Sequence, residues 1–256
     1  MALYIDTTER FPHLLKAPIV EAVLQISARA STAWTEDTVV PQVREAFPPG
    51  TQVISEQSAE QQFNLMRGVG LEHLKHSVSW QGVVIPKGER PEVIRFTRDF
   101  FSFSRLAPYE GWDPFFKRAL ELLVVYLRIA SPHTAQRIGL RFINRIEISA
   151  GLPIEDYFSN FPKDTTGLDL PLTGFLHLDT FTAASLPYAI NVGRTVQQSP
   201  NLIQSPPALI LDLDVYTTKE EHMNIPSIEG HLMRMRWLKN KVFFSNITDS
   251  LRERLK

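Results

Sequence analysis

A β-strand begins in the stretch Ala17-Pro18-Ile19-Val20-Glu21-Ala22-Val23-Leu24-Gln25-Ile26, close to the N-terminus. From about residue 20 to residue 29, apolar side chains recur at every second position, which is the period of a strand with one buried face. The buried positions are predicted to be Ala22, Leu24, Ile26 and Ala28. Folding explains most of this segment, but it does not explain Glu21, which begins the polar face.

Strand-like segments recur along the chain, separated by turn residues. The predicted strands cover residues 20–29, 52–55, 71–85, 93–97, 101–106, 136–148, 175–181, 188–197 and 208–217. Strands that cluster in meanders between few helices favour antiparallel or mixed pairing. The sequence therefore predicts an α+β fold, with mainly antiparallel or mixed sheets packed by a central helix and a long C-terminal helix.

Four helices are predicted from apolar periodicity and capping residues, and residues 154–161 look like a short fifth helix. The first covers residues 35–47, or begins near Thr38 so that Pro41 falls in its first turn. The central helix starts at Asp113 as N-cap, the C-terminal helix starts at Ser227, and a last helix over residues 249–255 is capped by Thr248.

Proline and glycine concentrate between residues 151 and 174, which predicts a connector. Residues 1–150 then form an N-terminal α+β subdomain with the order β-α-β-β-β-β-α-β. Residues 175–256 form a three-strand meander followed by the long helix. We expect the two parts to pack as one compact unit.

Composition excludes several classes of protein. The 27 Lys and Arg residues almost balance the 28 Asp and Glu residues, so there is no global field that would favour nucleic acid or an anionic membrane. The absence of cysteine excludes disulfides, thiol catalysis and cysteine-based zinc sites. No apolar run approaches the roughly 20 residues of a membrane helix, and the first residues carry acids where a secretory signal would be basic. We therefore expect a cytoplasmic protein.

Two carboxylates stand side by side on a predicted strand. Asp212 and Asp214 point to the same face, with their Cα atoms about 7 Å apart. Aligned carboxylates can hold Mg²⁺ or Mn²⁺, as in phosphoester-processing sites, so these two are candidate metal ligands. The alternative is that arginine or lysine side chains on the next strand balance them.

A row of arginines forms a second candidate site. Arg137, Arg141 and Arg145 share one face of their predicted strand, and such a row suits phosphate, a carboxylate or a nucleic-acid backbone. The alternative is a cross-strand ladder of ion pairs. Its carboxylates would be Glu21, Glu147, Asp212 and Asp214.

No standard catalytic template is present. The chain has no Gly-x-Ser-x-Gly elbow and no glycine-rich phosphate loop, and its histidines lack metal-ligand spacing. The C-terminal helix combines an apolar stripe with Arg234, Arg236, Lys239 and Lys241, which predicts a core-packing helix with a solvated basic face. His231 on this helix is expected to be a surface residue or a satisfied interface residue.

Four segments together resemble a sporadically distributed, uncharacterised prokaryotic protein family of about this length. The family pattern is a Pro-Ile-x-Glu-Ala strand start, a Tyr-Glu-x-Trp element before a helix, a Leu-Arg-aromatic-x-Asn strand and a terminal Phe-x-x-x-Ile-Thr segment. The matching segments are residues 17–22, 103–112, 138–146 and 243–249. The resemblance implies no catalytic residues, and the sporadic distribution suggests mobile genes such as defence or toxin–antitoxin cassettes.

These observations favour a non-catalytic binding or regulatory protein without a cofactor, which uses a charged sheet face centred on Glu21, Arg141 and Arg145. The expected partner is another protein or a second copy of the chain, membrane is excluded, and nucleic acid is disfavoured. Two alternatives stay open. One is a metal-dependent phosphoester-processing enzyme that uses Asp212 and Asp214, and the other is an anion-binding or nucleotide-binding protein that uses the arginine row.

Overall fold

The computed structural model describes residues 3–62, 65–66, 70–71, 75–149, 156–159, 174–197 and 207–256. The strands are β1 (Ile19–Ser27), β2 (Ile54–Gln62), β3 (Leu65–Met66), β4 (Gly70–Leu71), β5 (Lys75–Ile85), β6 (Glu92–Thr97), β7 (Phe100–Leu106), β8 (Thr134–Ala135), β9 (Arg137–Glu147), β10 (Leu176–Thr182), β11 (Tyr188–Gln197), β12 (Ala208–Thr217) and β13 (Glu221–His222). The helices are α1 (Glu36–Ala46), α2 (Trp112–Ala130), α3 (Ile225–Asn246) and α4 (Asp249–Leu255).

Nine of these strands form one sheet, in the order β10-β11-β12-β9-β1-β7-β6-β5-β2. Every neighbouring pair in it is antiparallel. The predicted α+β class with a large antiparallel sheet is therefore confirmed. Most of the predicted connector lies outside the described residues, but strands from both sides of it belong to this sheet, since β12 pairs with β9.

The opening strand lies in the middle of the sheet, between β9 and β7. Its predicted alternation is confirmed, because Ala22, Leu24 and Ile26 are completely buried and the intervening side chains are partly exposed. Glu21 lies where the register between β1 and β9 shifts. This irregularity separates the proline-led start of the strand from its regular part.

Aromatic side chains join the helices to the buried face of the sheet. Phe115 of α2 stacks on Phe103 of β7 with ring centroids 5.4 Å apart. Tyr126 is completely buried, and its hydroxyl donates to the carbonyl of Ala28 at 2.7 Å. This hydrogen bond satisfies the one polar atom that the ring brings into the core.

Two helix starts differ from the prediction. α2 begins at Trp112 after Gly111, so Asp113 lies in the first turn instead of capping it. α3 begins at Ile225, two residues before Ser227, because Asn224 is its N-cap. The side-chain oxygen of Asn224 accepts a hydrogen bond from the Ser227 backbone N–H at 2.8 Å.

The alternative start of α1 near Thr38 is wrong. The helix begins at Glu36, after Thr35, and Pro41 lies inside it. Thr35 and Thr38 cap the first turn reciprocally, and these bonds offset the hydrogen bond that a proline cannot donate. None of the helices in the described part of the chain is long and apolar enough to cross a membrane.

Candidate functional site

The six residues singled out from the sequence share the sheet face opposite the buried one. They are Glu21 on β1, Arg137, Arg141 and Arg145 on β9, and Asp212 and Asp214 on β12. Arg141 stands directly opposite Asp214 in the register. The guanidinium groups nevertheless bond diagonally. Arg141 bonds to Asp212, which stands opposite Ile143, and Arg137 reaches past Gly139 to Asp214, which stands opposite Arg141.

Each arginine contacts both carboxylate oxygens of its aspartate, Arg141 through two nitrogens and Arg137 through one. Arg141 donates to Asp212 from Nε at 2.8 Å and from Nη2 at 2.5 Å. The Nη2 atom of Arg137 donates to both carboxylate oxygens of Asp214, at 2.9 and 2.7 Å. Hydrogen bonding to Asp212 raises the pKa of Arg141, although burial opposes this, and the negative charges of Asp212, Asp214 and Glu21 add to it.

The side chain of Arg137 runs along the sheet surface. Its guanidinium carbon lies 4.6 Å from the centre of the Tyr216 ring. A Cβ atom at residue 139 would lie 2.2 Å from Nη1 of Arg137, so only glycine leaves room for this path. Gly139 therefore lets the guanidinium group reach Asp214.

We call Arg137, Arg141, Arg145, Glu147, Asp212 and Asp214 the sheet ladder, because Arg145 also pairs with Glu147 at 2.8 Å. Glu21 stands beside it, and its side chain forms no hydrogen bond within the described part of the chain. Since an arginine holds both oxygens of each aspartate, the ladder is neutralised internally. Among the described residues, no group of three or more His, Cys, Asp or Glu side chains could hold a metal ion.

Asp212→Asn is expected to change stability little. The Arg141 and Asp212 side chains are 48% and 26% exposed, and pairs of this kind contribute at most about 1 kcal/mol to the free energy of unfolding. Urea unfolding of the variant and the native protein measures the difference, with Asp99→Asn, in a looser exposed pair with Arg29, as control. A loss of about 3 kcal/mol or more would contradict a surface role for the ladder.

A large cavity lies elsewhere, between the N-terminal segment, the loop before α2, the end of β9 and helices α3 and α4. Its volume is about 1380 Å³. Each of the four segments that carry the family resemblance contributes to its wall, through residues such as Pro18, Tyr109, Asn144 and Phe244. Residues far apart in the sequence therefore meet around one space.

The N-terminal segment before β1 is fastened to the C-terminal helices. Glu9 accepts hydrogen bonds from Nε1 of Trp237 at 2.7 Å and from Nζ of Lys241 at 2.6 Å. The ring of Phe11 stacks on Phe244 with centroids 5.8 Å apart. The backbone N–H of Lys16 donates to the carbonyl of Leu255 at 3.0 Å. These contacts make the segment one wall of the cavity.

The wall carries an excess of positive charge. Each of its described carboxylates already has a cation within 2.8 Å: Glu9 has Lys241, Glu110 has Arg105, and Glu147 has Arg145. Arg236, Lys239 and Arg254 also line the cavity, and none of them pairs with a carboxylate of the described chain. For Arg254, the Nε and Nη2 atoms are buried without any hydrogen-bond partner.

Lys239 is the most unusual of these cations. Its ammonium nitrogen lies 4.2 Å from the centre of the Phe142 ring, and no described residue accepts a hydrogen bond from it. Burial, with a smaller effect of Arg236, lowers the pKa of Lys239 to about 7. Attraction to the ring favours the charged form by about 2 kcal/mol at a desolvated site. That energy corresponds to less than two pH units, so the pKa stays below that of a solvated lysine.

Aromatic and polar groups surround this amine. Arg236, one helical turn before Lys239, lies 5.0 Å from the Trp112 ring. Tyr109 packs edge-on against Phe142 at 5.9 Å, and burial raises its pKa, so its hydroxyl keeps its proton at neutral pH. The Nδ2 atom of Asn144, at 2% exposure, donates to Leu211 at 2.9 Å. We call Arg236, Lys239, Tyr109, Trp112, Phe142 and Asn144 the cationic pocket.

A signal for this pocket is present in the sequence, although the basic flanks of α3 alone do not indicate it. Lys239 follows Leu232 by seven positions and Met235 by four, so it continues the apolar stripe instead of the solvated face. A lysine on a buried stripe without an acid nearby in the helix indicates either a distant partner or a ligand.

A second, smaller cavity of about 740 Å³ borders β10, β11 and α3. Its wall includes Tyr188, whose hydroxyl lies 2.8 Å from Nδ1 of His231, while Nε2 of His231 lies 3.4 Å from Glu221. His231 is thus buried and hydrogen-bonded, and not a surface residue. The cation in this wall, Arg194, pairs with Asp179, so this cavity has no surplus charge comparable to that of the cationic pocket.

Comparison with known proteins adds no relative. No protein-family profile matches the chain, and no curated protein matches it. The resemblance to the sporadically distributed family therefore stays a prediction. What the fold and the site define is a class: an α+β protein with a nine-stranded antiparallel sheet and a cation-rich cavity beside its C-terminal helix.

Proposed function

We propose that this chain is a binding protein for a small organic anion, held in the cationic pocket. The single observation that carries the proposal is the pair Arg236 and Lys239. The two cations lie one turn apart on α3 and line a cavity, yet neither has a carboxylate partner in the described chain. Both side chains are partly buried, and a positive side chain that loses water without gaining a counter-charge costs free energy. A bound carboxylate or phosphate would remove that cost.

The surrounding groups support an organic ligand over a bare inorganic ion. Trp112 and Tyr109 line the cavity and supply apolar surface for a carbon skeleton, while Asn144 and the Tyr109 hydroxyl supply polar contacts. Phe142 packs against the amine of Lys239. Pockets that combine mostly apolar walls with a few placed polar groups are typical of small-molecule sites. Charge-assisted hydrogen bonds to Arg236 and Lys239 would each contribute about 1.5–3 kcal/mol.

Small carboxylates are expected to raise the melting temperature of the protein, and Arg236→Gln is expected to weaken this effect. At a ligand concentration near 100 times Kd the stabilisation is about 2.7 kcal/mol. Removal of one charged contact is expected to raise Kd about tenfold or more. A thermal shift series with lactate and with inorganic phosphate measures both effects.

The matched control is Arg234→Gln, an exposed arginine two residues earlier on the same helix. It is expected to bind lactate like the native protein. If neither anion shifts the melting temperature, or if the two variants respond alike, the proposal is wrong.

The role of the sheet ladder as a surface for a partner protein or a second copy stays a prediction. Because its charges already satisfy one another, a partner would have to break or share existing pairs. The cytoplasmic location, the link to defence or toxin–antitoxin loci and the division at residues 151–174 also stay predictions. The packing role of α2 and α3 is part of the proposal, supported by the contacts of Phe115 with Phe103 and of Lys239 with Phe142.

A further inference from the structure

We propose that the anion bound in the cationic pocket carries a carbonyl group next to its carboxylate, as 2-oxo acids do, and that Lys239 holds it covalently as an imine. This inference rests on the proposed function, since it names the ligand class of the same pocket. In this arrangement Arg236 binds the carboxylate, and the nitrogen of Lys239 forms a bond to the carbonyl carbon.

The geometry of α3 fits such a ligand. Residues three apart on a helix have Cβ atoms about 5–6 Å apart on the same side, so Arg236 and Lys239 can approach adjacent atoms of one small molecule. The amine of Lys239 has no carboxylate and no hydrogen-bond acceptor to hold it in the described chain. A structural lysine at such a position would be expected to have one.

The environment of the amine also suits nucleophilic attack. Burial and the charge of Arg236 lower the pKa of Lys239 to about 7, so a large fraction is neutral at physiological pH, which is the form that attacks carbonyl groups. The other charges that line the cavity near this helix are engaged or positive: Glu110 is held by Arg105, Glu9 is held by Lys241, and Arg254 is a cation. No described acid is placed to restore the ammonium form.

The chemistry balances without a co-reactant. The lone pair of the neutral amine forms a C–N bond to the carbonyl carbon while the C=O π electrons move to oxygen. Proton transfer from nitrogen to oxygen gives a carbinolamine. One further proton from solvent lets the hydroxyl leave as water, which gives a protonated imine. In sum, an ammonium group and a carbonyl give an iminium ion and water, with no oxidation or reduction.

The test uses pyruvate and sodium borohydride, which reduces an imine to a stable secondary amine that mass spectrometry locates. The full chain is expected to carry one adduct, on Lys239. At pH 7.5 Lys239 is expected to react at least about tenfold faster than Lys241, because its lowered pKa leaves a large neutral fraction that attacks carbonyl groups. Lys241 is the matched comparison, since it lies two residues further along the same helix and is paired with Glu9.

Variants separate covalent capture from anion binding. Lys239→Arg removes the nucleophilic amine and is expected to form no adduct with pyruvate. Lys241→Arg, outside the cationic pocket, is expected to bind lactate and to form the adduct as the native protein does. If lactate binds but borohydride traps nothing on Lys239, or labels the lysines evenly, the imine proposal is wrong and the proposed function stands. If neither lactate nor pyruvate binds, both the imine proposal and the proposed function are wrong.

Discussion

Lys239→Met is expected to raise the free energy of unfolding by about 2 kcal/mol and to abolish the binding of small anions. Methionine has similar length and flexibility, and its apolar side chain suits the surroundings of Phe142. The variant removes an amine that is held away from water without a counter-charge. Functional sites typically contain residues that make the protein less stable than an apolar residue at the same position would.

This stabilisation is expected to depend on pH. The pKa of Lys239 is lower in the folded protein, near 7, than in the unfolded chain. Between these two values the unfolded state binds more protons, so the native protein gains stability as pH rises. The advantage of the variant is therefore largest below about pH 7 and shrinks toward pH 10. The surrounding titratable and charged groups are the same in both proteins; they are Tyr109, Glu110, Arg236 and Arg254. Their contributions therefore cancel to first order in the difference between the two free energies of unfolding.

Urea unfolding at several pH values measures this difference. Lys241→Met serves as control, because it removes an exposed ion pair with Glu9 and is expected to cost less than about 1 kcal/mol. A Lys239→Met protein that is less stable than the native one at neutral pH would show that the amine has a stabilising partner, and the account of the cationic pocket would then fail.

Arg105→Met is expected to cost about 3 kcal/mol of unfolding free energy. Glu92 is only 7% exposed, and Arg105 donates to it at 2.8 Å. Loss of the guanidinium group would leave this carboxylate with Arg118 alone, at 3.3 Å. Removal of one partner from a buried pair is more damaging than removal of the pair, because the remaining charge stays poorly solvated.

The same change is expected to weaken ligand binding. Arg105 also donates to Glu110 at 2.6 Å, and Glu110 belongs to the loop that places Tyr109 and Trp112 in the cationic pocket. Urea unfolding and a lactate titration of the folded variant measure the two effects. Arg29→Met, in an exposed pair at 4.0 Å, is the control. Equal stability of Arg105→Met and Arg29→Met would contradict the account of this network.

The parts of the fold that depend on local pattern could be predicted from the sequence. The bounds of β11, β12 and α4 agree with the prediction, and the alternation along β1 is confirmed, since apolar period and capping residues act over a few positions. The starts of α1 and α3 were harder to predict, because several nearby residues could cap each helix. Which of them does so depends on the backbone path before the helix. Thr35 and Asn224 are the residues selected.

The candidate sites divide in the same way. A shared face for Asp212 and Asp214 follows from the period of a strand, and the ladder alternative with arginines was open from the sequence. The diagonal choice of partners, Arg137 with Asp214 and Arg141 with Asp212, depends on register and could not be predicted. The cationic pocket depends on three segments that are far apart in the sequence. Only the charge of Lys239 on an apolar stripe could therefore have indicated it.

Isothermal titration of lactate into the native protein and into the double variant Arg236→Gln/Lys239→Met tests the central claim most directly. Saturable binding of one lactate per native chain is expected, with no detectable binding to the double variant, which circular dichroism should show to be folded. Equal binding to both proteins would place the anion elsewhere. An absence of binding to the native protein would contradict the proposal that this cavity takes small carboxylates.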